Sequence, residues 1–501
     1  MTRATTALRV FADEIGFLTL LHSPRDTKLL LLQRLVRFLA FGSATLVLVL
    51  FLRALDIPEA RIGLFMTLTL LGDVVISLVL TVFADGIGRR VTLAFGALCM
   101  VVSGIAFALS SNFWVLLVAA VFGVISPSGN EIGPFRAIEE SVIAGLTARE
   151  ERTGLLVWYT IFGYTGASLG VLVCGWAVAG VQSHGWEVLE SYRLVFWVYA
   201  ILGAAKFSMC LFLTERCESN KEKAEVTSIP ASGDETQPLL ASADDESTLH
   251  SENNAAKPAP PSKESPLQKL RPKISDESIW ILWKLCLLFC MDSMASSLVS
   301  SSWMTYFFAL KFHLSQGTLG TLFFVCNVLS TMSNFAATPL ARRIGLIKTM
   351  VFTHIPASIA LALTPLPSNA LAAMALLALR YSTNSMDQAP RQAFISAAVL
   401  PEERTAVMGV LNVGKTLSQS VGPSITGTLA EKKLFWVAFV VAGGLKVTYD
   451  VFMLVMFLGH RTVEERAEQS LVGQAEAPLE TEAEAEGETT GRAESGRDQN
   501  A

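Results

Sequence analysis

The chain has 501 residues, 51% of them hydrophobic and only 17% charged, with a mean hydropathy of +0.47 and a formal net charge of −5. A soluble protein of this length carries about 25% charged residues, so the composition excludes an ordinary soluble globule, and the lack of a basic stripe interleaved with aromatics excludes a nucleic-acid partner. The negative total is local: segment 214–278 holds thirteen acids against eight bases and the segment from 460 onward eleven against four, which leaves the apolar remainder positive, as loops rich in Lys and Arg would make it.

Apolar runs such as 35–52, 92–108 and 436–458 approach or exceed the roughly 20 residues that cross about 30 Å of hydrocarbon. Backbone groups in lipid must be satisfied within their own segment, so these runs are helices. Twelve spans are predicted: 35–53, 61–82, 91–110, 113–141, 154–180, 192–213, 279–308, 315–340, 347–365, 369–398, 405–429 and 434–459. Loops carrying Arg89, Arg90, Arg149, Arg152, Arg342, Arg343, Lys348 and Arg404 then share one side, which the positive-inside rule makes cytoplasmic together with both termini. The expected organisation is a cytoplasmic N-terminus (1–34), a six-helix bundle (35–213), a cytoplasmic linker (214–278), a second six-helix bundle (279–459) and an acidic cytoplasmic tail (460–501). The linker and the tail, rich in Ser, Pro, Glu and Ala, have too little apolar surface to fold. No cleavable signal peptide is expected, because the first 28 residues are polar and mixed in charge. The seven cysteines form no metal-ligand spacing, so neither a metal, a cofactor nor a disulfide is expected.

The two bundles are repeats. Glu150-Glu151-Arg152-Thr153 recurs as Glu402-Glu403-Arg404-Thr405, 252 positions later, and Glu131-Ile132-Gly133-Pro134 aligns with Asp387-Gln388-Ala389-Pro390. Spans two and eight align without gaps at an offset of 257, matching Gly63 to Gly320 and Gly88 to Gly345, and Lys206 matches Lys446 in spans six and twelve. A parallel six-plus-six repeat places a pseudo-twofold axis along the membrane normal, with a binding site between the halves near mid-depth.

The loop after span two reads Ala84-Asp85-Gly86-Ile87-Gly88-Arg89-Arg90. It resembles the signature of the major facilitator superfamily, Gly-x-x-x-Asp-x-x-Gly-Arg-Arg/Lys, at Asp85, Gly88, Arg89 and Arg90, with Thr81 in place of the first Gly. The resemblance implies an all-α membrane protein of twelve transmembrane helices in two six-helix pseudo-repeats, and a loop whose Asp85 latches one conformation against the start of span eleven. It also implies that spans one, four, seven and ten line the solute pathway.

Ionisable residues at membrane depth are costly and mark candidate sites. Glu131 and Asp387 lie where Pro and Gly interrupt spans four and ten, either for a solute or proton or for pairing with Arg136 or Arg391. Asp292 lies near the middle of span seven, with Ser296 and Ser300 on its face, and Arg380 and Tyr381 in span ten are placed to bind an anionic group. Arg34, Arg37 and Lys206 are expected to snorkel to the cytoplasmic side, and Lys446 to pair with Asp450 one turn on. Asp73 and Lys415 sit at similar depth in spans two and eleven, which the family places side by side, so they are expected to form an ion pair. In the linker, Glu235, Leu239 and Leu240 fit an acidic dileucine sorting pattern.

The expected function is secondary active transport of a small solute by alternating access, with proton coupling through Glu131, Asp292 or Asp387 and efflux as one direction. The resemblance weakens the exporter version, because proton-coupled exporters of that superfamily carry a Gly-Pro motif in span five, and here span five has Gly163, Gly166 and Gly170 but no proline. The alternative is a membrane receptor or scaffold that kept the fold and lost transport. No Ser-His-acid set or nucleotide-binding loop suggests an enzyme. Expected partners are the solute, membrane lipid, protons and a sorting adaptor, in the plasma membrane or a vacuolar or lysosomal membrane.

Overall fold

The computed structural model describes residues 17–123, 125, 134–148, 151–218, 276–399 and 403–457, with the backbone alone at 17–18, 78–86, 134, 153, 276–278, 338, 396–397 and 404–406. Helices occupy every predicted span, and no strand occurs among the described residues. Span one is Arg25–Ala54, two Glu59–Ile87, three Arg89–Leu109, five Arg152–Ser183 and six Val188–Leu211. In the second half, eight is Gln316–Ile344, nine Leu346–Leu363, eleven Arg404–Glu431 and twelve Phe435–Phe457. Spans four, seven and ten are each two helices: Phe113–Phe122 with Pro134–Leu146, Asp276–Leu298 with Ser301–Phe312, and Ala370–Asn384 with Gln388–Ala398.

Among the described residues, nine spans are long and apolar enough to cross a membrane. Four and ten fall outside that set because they are interrupted, and eleven because Asn412, Lys415, Thr416, Ser418, Gln419 and Ser420 dilute its apolar surface. The break in span seven corrects the single helix expected there. Extended backbone at Ser300 (ψ 162°) ends the first helix and starts the second.

The repeat is visible in local geometry. Gly88 and Gly345 both take positive φ (105° and 88°) ahead of spans three and nine, a region that only glycine enters freely. Four residues on, Thr92 and Thr349 each donate to that glycine's carbonyl. Asn112 and Asn369 both cap the spans that follow, each carboxamide oxygen accepting a backbone N–H two residues ahead, which satisfies donors that a helix start leaves open.

Packing repeats in the same way. One packs on five and seven on eleven, three on six and nine on twelve, one on six and seven on twelve, two on four and eight on ten. The halves meet where two lies on eleven and five on eight. Both seams close on a pair of glycines: a Cβ on Gly63 would lie 2.4 Å from the Pro423 carbonyl and 3.1 Å from the Gly427 Cα, and one on Gly175 would lie 2.8 Å from the Gly320 Cα. Such crossings allow backbones to approach where larger residues could not.

Candidate transport site

In the first half, four helices converge on Glu139, which is completely buried in the second segment of span four. Its Oε2 accepts from Arg37 of span one at 2.8 Å and from the Tyr159 hydroxyl of span five at 2.6 Å. Lys206 of span six lies 3.6 Å from Oε1. Arg34 stacks its guanidinium 3.7 Å from the centre of the Tyr159 ring, with room left by Gly163, whose added Cβ would meet the Arg34 Nε at 2.8 Å. Arg34, Arg37 and Lys206 therefore do not snorkel. Each is under 9% exposed, because a charge in a low-dielectric bundle gains more from a carboxylate at contact than from a distant interface.

The second half builds the corresponding network with two signs exchanged. Asp292 of span seven takes the place of the arginines of span one, and Arg391 of span ten the place of Glu139. Arg391 reaches Asp292 Oδ2 at 3.0 Å and also pairs with Asp387 one turn earlier. Lys446 of span twelve donates to Asp292 Oδ1 at 2.7 Å, so its partner is Asp292, not the expected Asp450. Asp450 instead holds His354 of span nine, with Nδ1 at 2.9 and 3.0 Å from its two oxygens. Tyr449 lies beside both Arg391 and His354: its ring centre is 5.4 Å from the Arg391 guanidinium and 5.9 Å from the His354 ring.

The sequence-predicted site residues separate into groups. Asp292 and Asp387 come together on Arg391, and Lys415 joins their electrostatic neighbourhood, with its ammonium 6.0 Å from the Phe289 ring centre. The Asp73–Lys415 pair is not formed. Spans two and eleven do pack side by side, yet Lys415 turns toward span seven, and the buried Asp73 leaves Oδ2 without a hydrogen bond. Arg380 is half-buried in span ten with its guanidinium 5.6 Å from the Tyr381 ring centre; no acid lies within ion-pair distance of it among the described residues. Glu131 and the linker pattern Glu235, Leu239 and Leu240 lie outside the described residues, as does the Asp85 side chain. Arg136, offered as a partner for Glu131, pairs with Glu140 at 2.7 Å.

At the signature loop, the start of span three holds a carboxylate. Glu218, just past span six, accepts from the backbone N–H of Arg89 at 2.7 Å and of Arg90 at 3.1 Å, where the helix dipole favours a carboxylate. Glu139 and His354 were missed in the sequence. The clue available for Glu139 was the recurrence of Lys206 as Lys446, since a lysine repeated at membrane depth needs an acid in each half.

Two six-helix halves, joined by glycine seams and holding buried charges against one another across their helices, form a membrane transporter. Residues 30–386 and 285–486 match the Major Facilitator Superfamily, and the chain belongs to that family. It is 36% identical over 447 residues to an uncharacterized membrane protein of Saccharomyces cerevisiae, covering 87% of this chain and 94% of that one. A shorter similarity, 29% over 172 residues, covers 33% of this chain and 39% of the class D tetracycline resistance protein of Salmonella ordonez. Among solved structures, the nucleoside transporter NupG aligns with a TM-score of 0.61 and 13% identity, covering 87% of this chain and 99% of that one. A D-xylose-proton symporter aligns at 0.62 and 12%, covering 85% and 97%. Likeness at that level of identity speaks for the fold.

Proposed function

We propose that the protein is a secondary transporter that moves a small solute bearing an anionic group by alternating access of its two halves. The observation that carries this reading is a seal between them that, among the described residues, gathers at one end. Hydrogen bonds joining the halves gather toward the end where spans two and eight begin: Tyr306 to Glu59 at 2.8 Å, Gln316 to Tyr192 at 3.2 Å, Trp176 to Thr321 at 3.0 Å and Ala60 to Glu431 at 3.3 Å. The glycine pairs lie at the same end. Loop charges make that end the non-cytoplasmic one, so the described contacts between the halves close the non-cytoplasmic side. A seal made of close glycine crossings and a few hydrogen bonds is one that can reopen.

The anionic preference rests on Arg380, a half-buried cation in span ten that no carboxylate among the described residues neutralises. A solute carboxylate or phosphate would supply the missing charge in bidentate geometry. Arg380→Gln is expected to remove a charge-assisted contact of about 1.5–3 kcal/mol, weakening solute binding roughly 10–150-fold while thermal stability stays near that of the parent. Uptake into proteoliposomes from a panel of anionic, neutral and cationic metabolites, with and without a pH gradient, tests the reading. Uptake of neutral or cationic solutes unaffected by Arg380→Gln overturns the anionic preference, and no uptake at all in either direction favours the receptor or scaffold alternative. A pH-gradient dependence that Asp292→Asn removes would support proton coupling.

The linker pattern Glu235-Thr236-Gln237-Pro238-Leu239-Leu240 supports delivery to a vacuolar or lysosomal membrane through a sorting adaptor. Replacing Leu239 and Leu240 with Ala is expected to shift the tagged protein to the plasma membrane, as seen by microscopy; an unchanged distribution removes the sorting role.

A further inference from the structure

The second-half network contains a pair of groups with no counterpart in the first. At the offset that superposes Gly88 on Gly345, His354 falls on Ala97; at the offset that superposes Lys206 on Lys446, Asp450 falls on Cys210. A His–Asp pair has thus been added to one copy of a repeated ion network, and both residues are under 3% exposed.

Its geometry defines what it can do. Nδ1 faces both carboxylate oxygens of Asp450, so Nδ1 bears the proton and donates, leaving Nε2 with a lone pair. That lone pair points at the Lys446 ammonium, 3.5 Å away. Lys446 in turn lies 2.7 Å from Asp292 Oδ1, and the same oxygen is 4.0 Å from His354 Nε2. Two cation-forming nitrogens therefore address one carboxylate oxygen. Arg391 occupies the other oxygen, Oδ2. Of the elements packed on span nine, twelve contributes Lys446, Tyr449 and Asp450, and ten contributes Arg391 and, further along, Arg380; the Asp292 side chain of span seven reaches His354 from beyond them. Span eight has Cys326 along its length and Arg342 and Arg343 at its far end.

We infer that Nε2 of His354 is a proton-binding site whose occupation displaces Lys446 from Asp292. A proton on Nε2 turns an acceptor into a donor facing an ammonium, which removes the Lys446–His354 contact and places a second cation in competition for Oδ1. Asp450 stabilises the imidazolium from behind, as an opposite charge at contact does. The consequence is mechanical: Lys446–Asp292 ties span twelve to span seven, and its release frees the segment of seven that precedes the break at Ser300. The use of this site in solute coupling rests on the transporter reading above, but proton binding itself does not.

The test uses the full-length protein in lipid nanodiscs without solute. Ring-13C histidine labelling and NMR follow the imidazoles from about pH 5 to about pH 8, the range in which histidine titrates, with His354→Gln assigning the resonance. His354 is expected to take up a proton within that range. Asp450→Asn, which removes the opposite charge at contact, is expected to weaken proton uptake at His354. Nitroxides at the exposed Ser183 and Ser315 report the seam between spans five and eight, and their distance distribution is expected to change with pH in the parent and to become pH-independent in His354→Gln. A His354 that stays neutral throughout, or a pH response that survives in His354→Gln, overturns the inference. If His354→Gln does not fold, the Asp450→Asn shift decides. A solute panel without uptake alongside a titrating His354 refutes the transporter reading and leaves the proton site standing.

Discussion

Glu139→Gln is expected to lower the stability of the protein by about 3–5 kcal/mol, the cost of breaking a buried ion pair by removing one partner. The carboxylate is fully buried and has Arg37 at 2.8 Å, Lys206 at 3.6 Å and the Tyr159 hydroxyl at 2.6 Å. Neutralising it leaves two cations in contact with an amide that cannot balance them. Tyr159→Phe should cost far less, about 1 kcal/mol, because it deletes one hydrogen bond and leaves the charges paired. Adding Lys206→Met to Glu139→Gln removes one of the stranded cations and should restore part of the loss. Thermal unfolding in detergent and abundance in the membrane measure this. Simple additivity of the two changes would mean that Lys206 and Glu139 are not coupled.

The seams offer the second large effect, and it falls on conformation. Valine at Gly63 or at Gly320 would force a Cβ to within 2.4 Å of the Pro423 carbonyl or 2.8 Å of the Val171 carbonyl. Both obstacles are backbone, which cannot rotate aside. Overpacking costs about 1–3 kcal/mol at each site, so the double variant penalises the sealed state by about 2–6 kcal/mol. Inverting a two-state population from 99:1 to 1:99 takes about 5.5 kcal/mol. Because the clash exists only while the halves touch at this end, the double variant should populate a state open there, with a longer Ser183–Ser315 nitroxide distance and loss of transport turnover. An unchanged distance in a folded double variant would mean that the seams do not separate.

Much of the architecture is legible in the sequence for a physical reason. Lipid forbids unsatisfied backbone, so apolar length translates directly into helices, and a duplicated gene leaves its register in pairs such as Gly63 with Gly320 and Lys206 with Lys446. The signature at Asp85, Gly88, Arg89 and Arg90 pointed to the family. Asp292 and Asp387 were recognisable as site candidates because an acid at membrane depth has no inexpensive explanation. Glu139 escaped because its neighbours Arg136 and Glu140 disguise it as part of a solvated face, and His354 because a lone histidine in an apolar run reads as a core residue.

The Asp73–Lys415 expectation shows where sequence reasoning stops. Depth along a helix follows from counting at about 1.5 Å per residue, and spans two and eleven do lie together. Direction around the helix does not follow from depth. Each residue turns by about 100°, and the helix presented to a given side chain is set by how the bundle closes. Lys415 faces Phe289 of span seven, Lys446 reaches across to Asp292 rather than one turn along to Asp450, and Arg37 finds Glu139 more than a hundred residues away. The sequence by itself determined the helices, their depths, their duplication and the family. Only the tertiary structure decided which charges meet, because partner choice in a low-dielectric bundle depends on rotation and packing, and these belong to the assembled helices and not to any one of them.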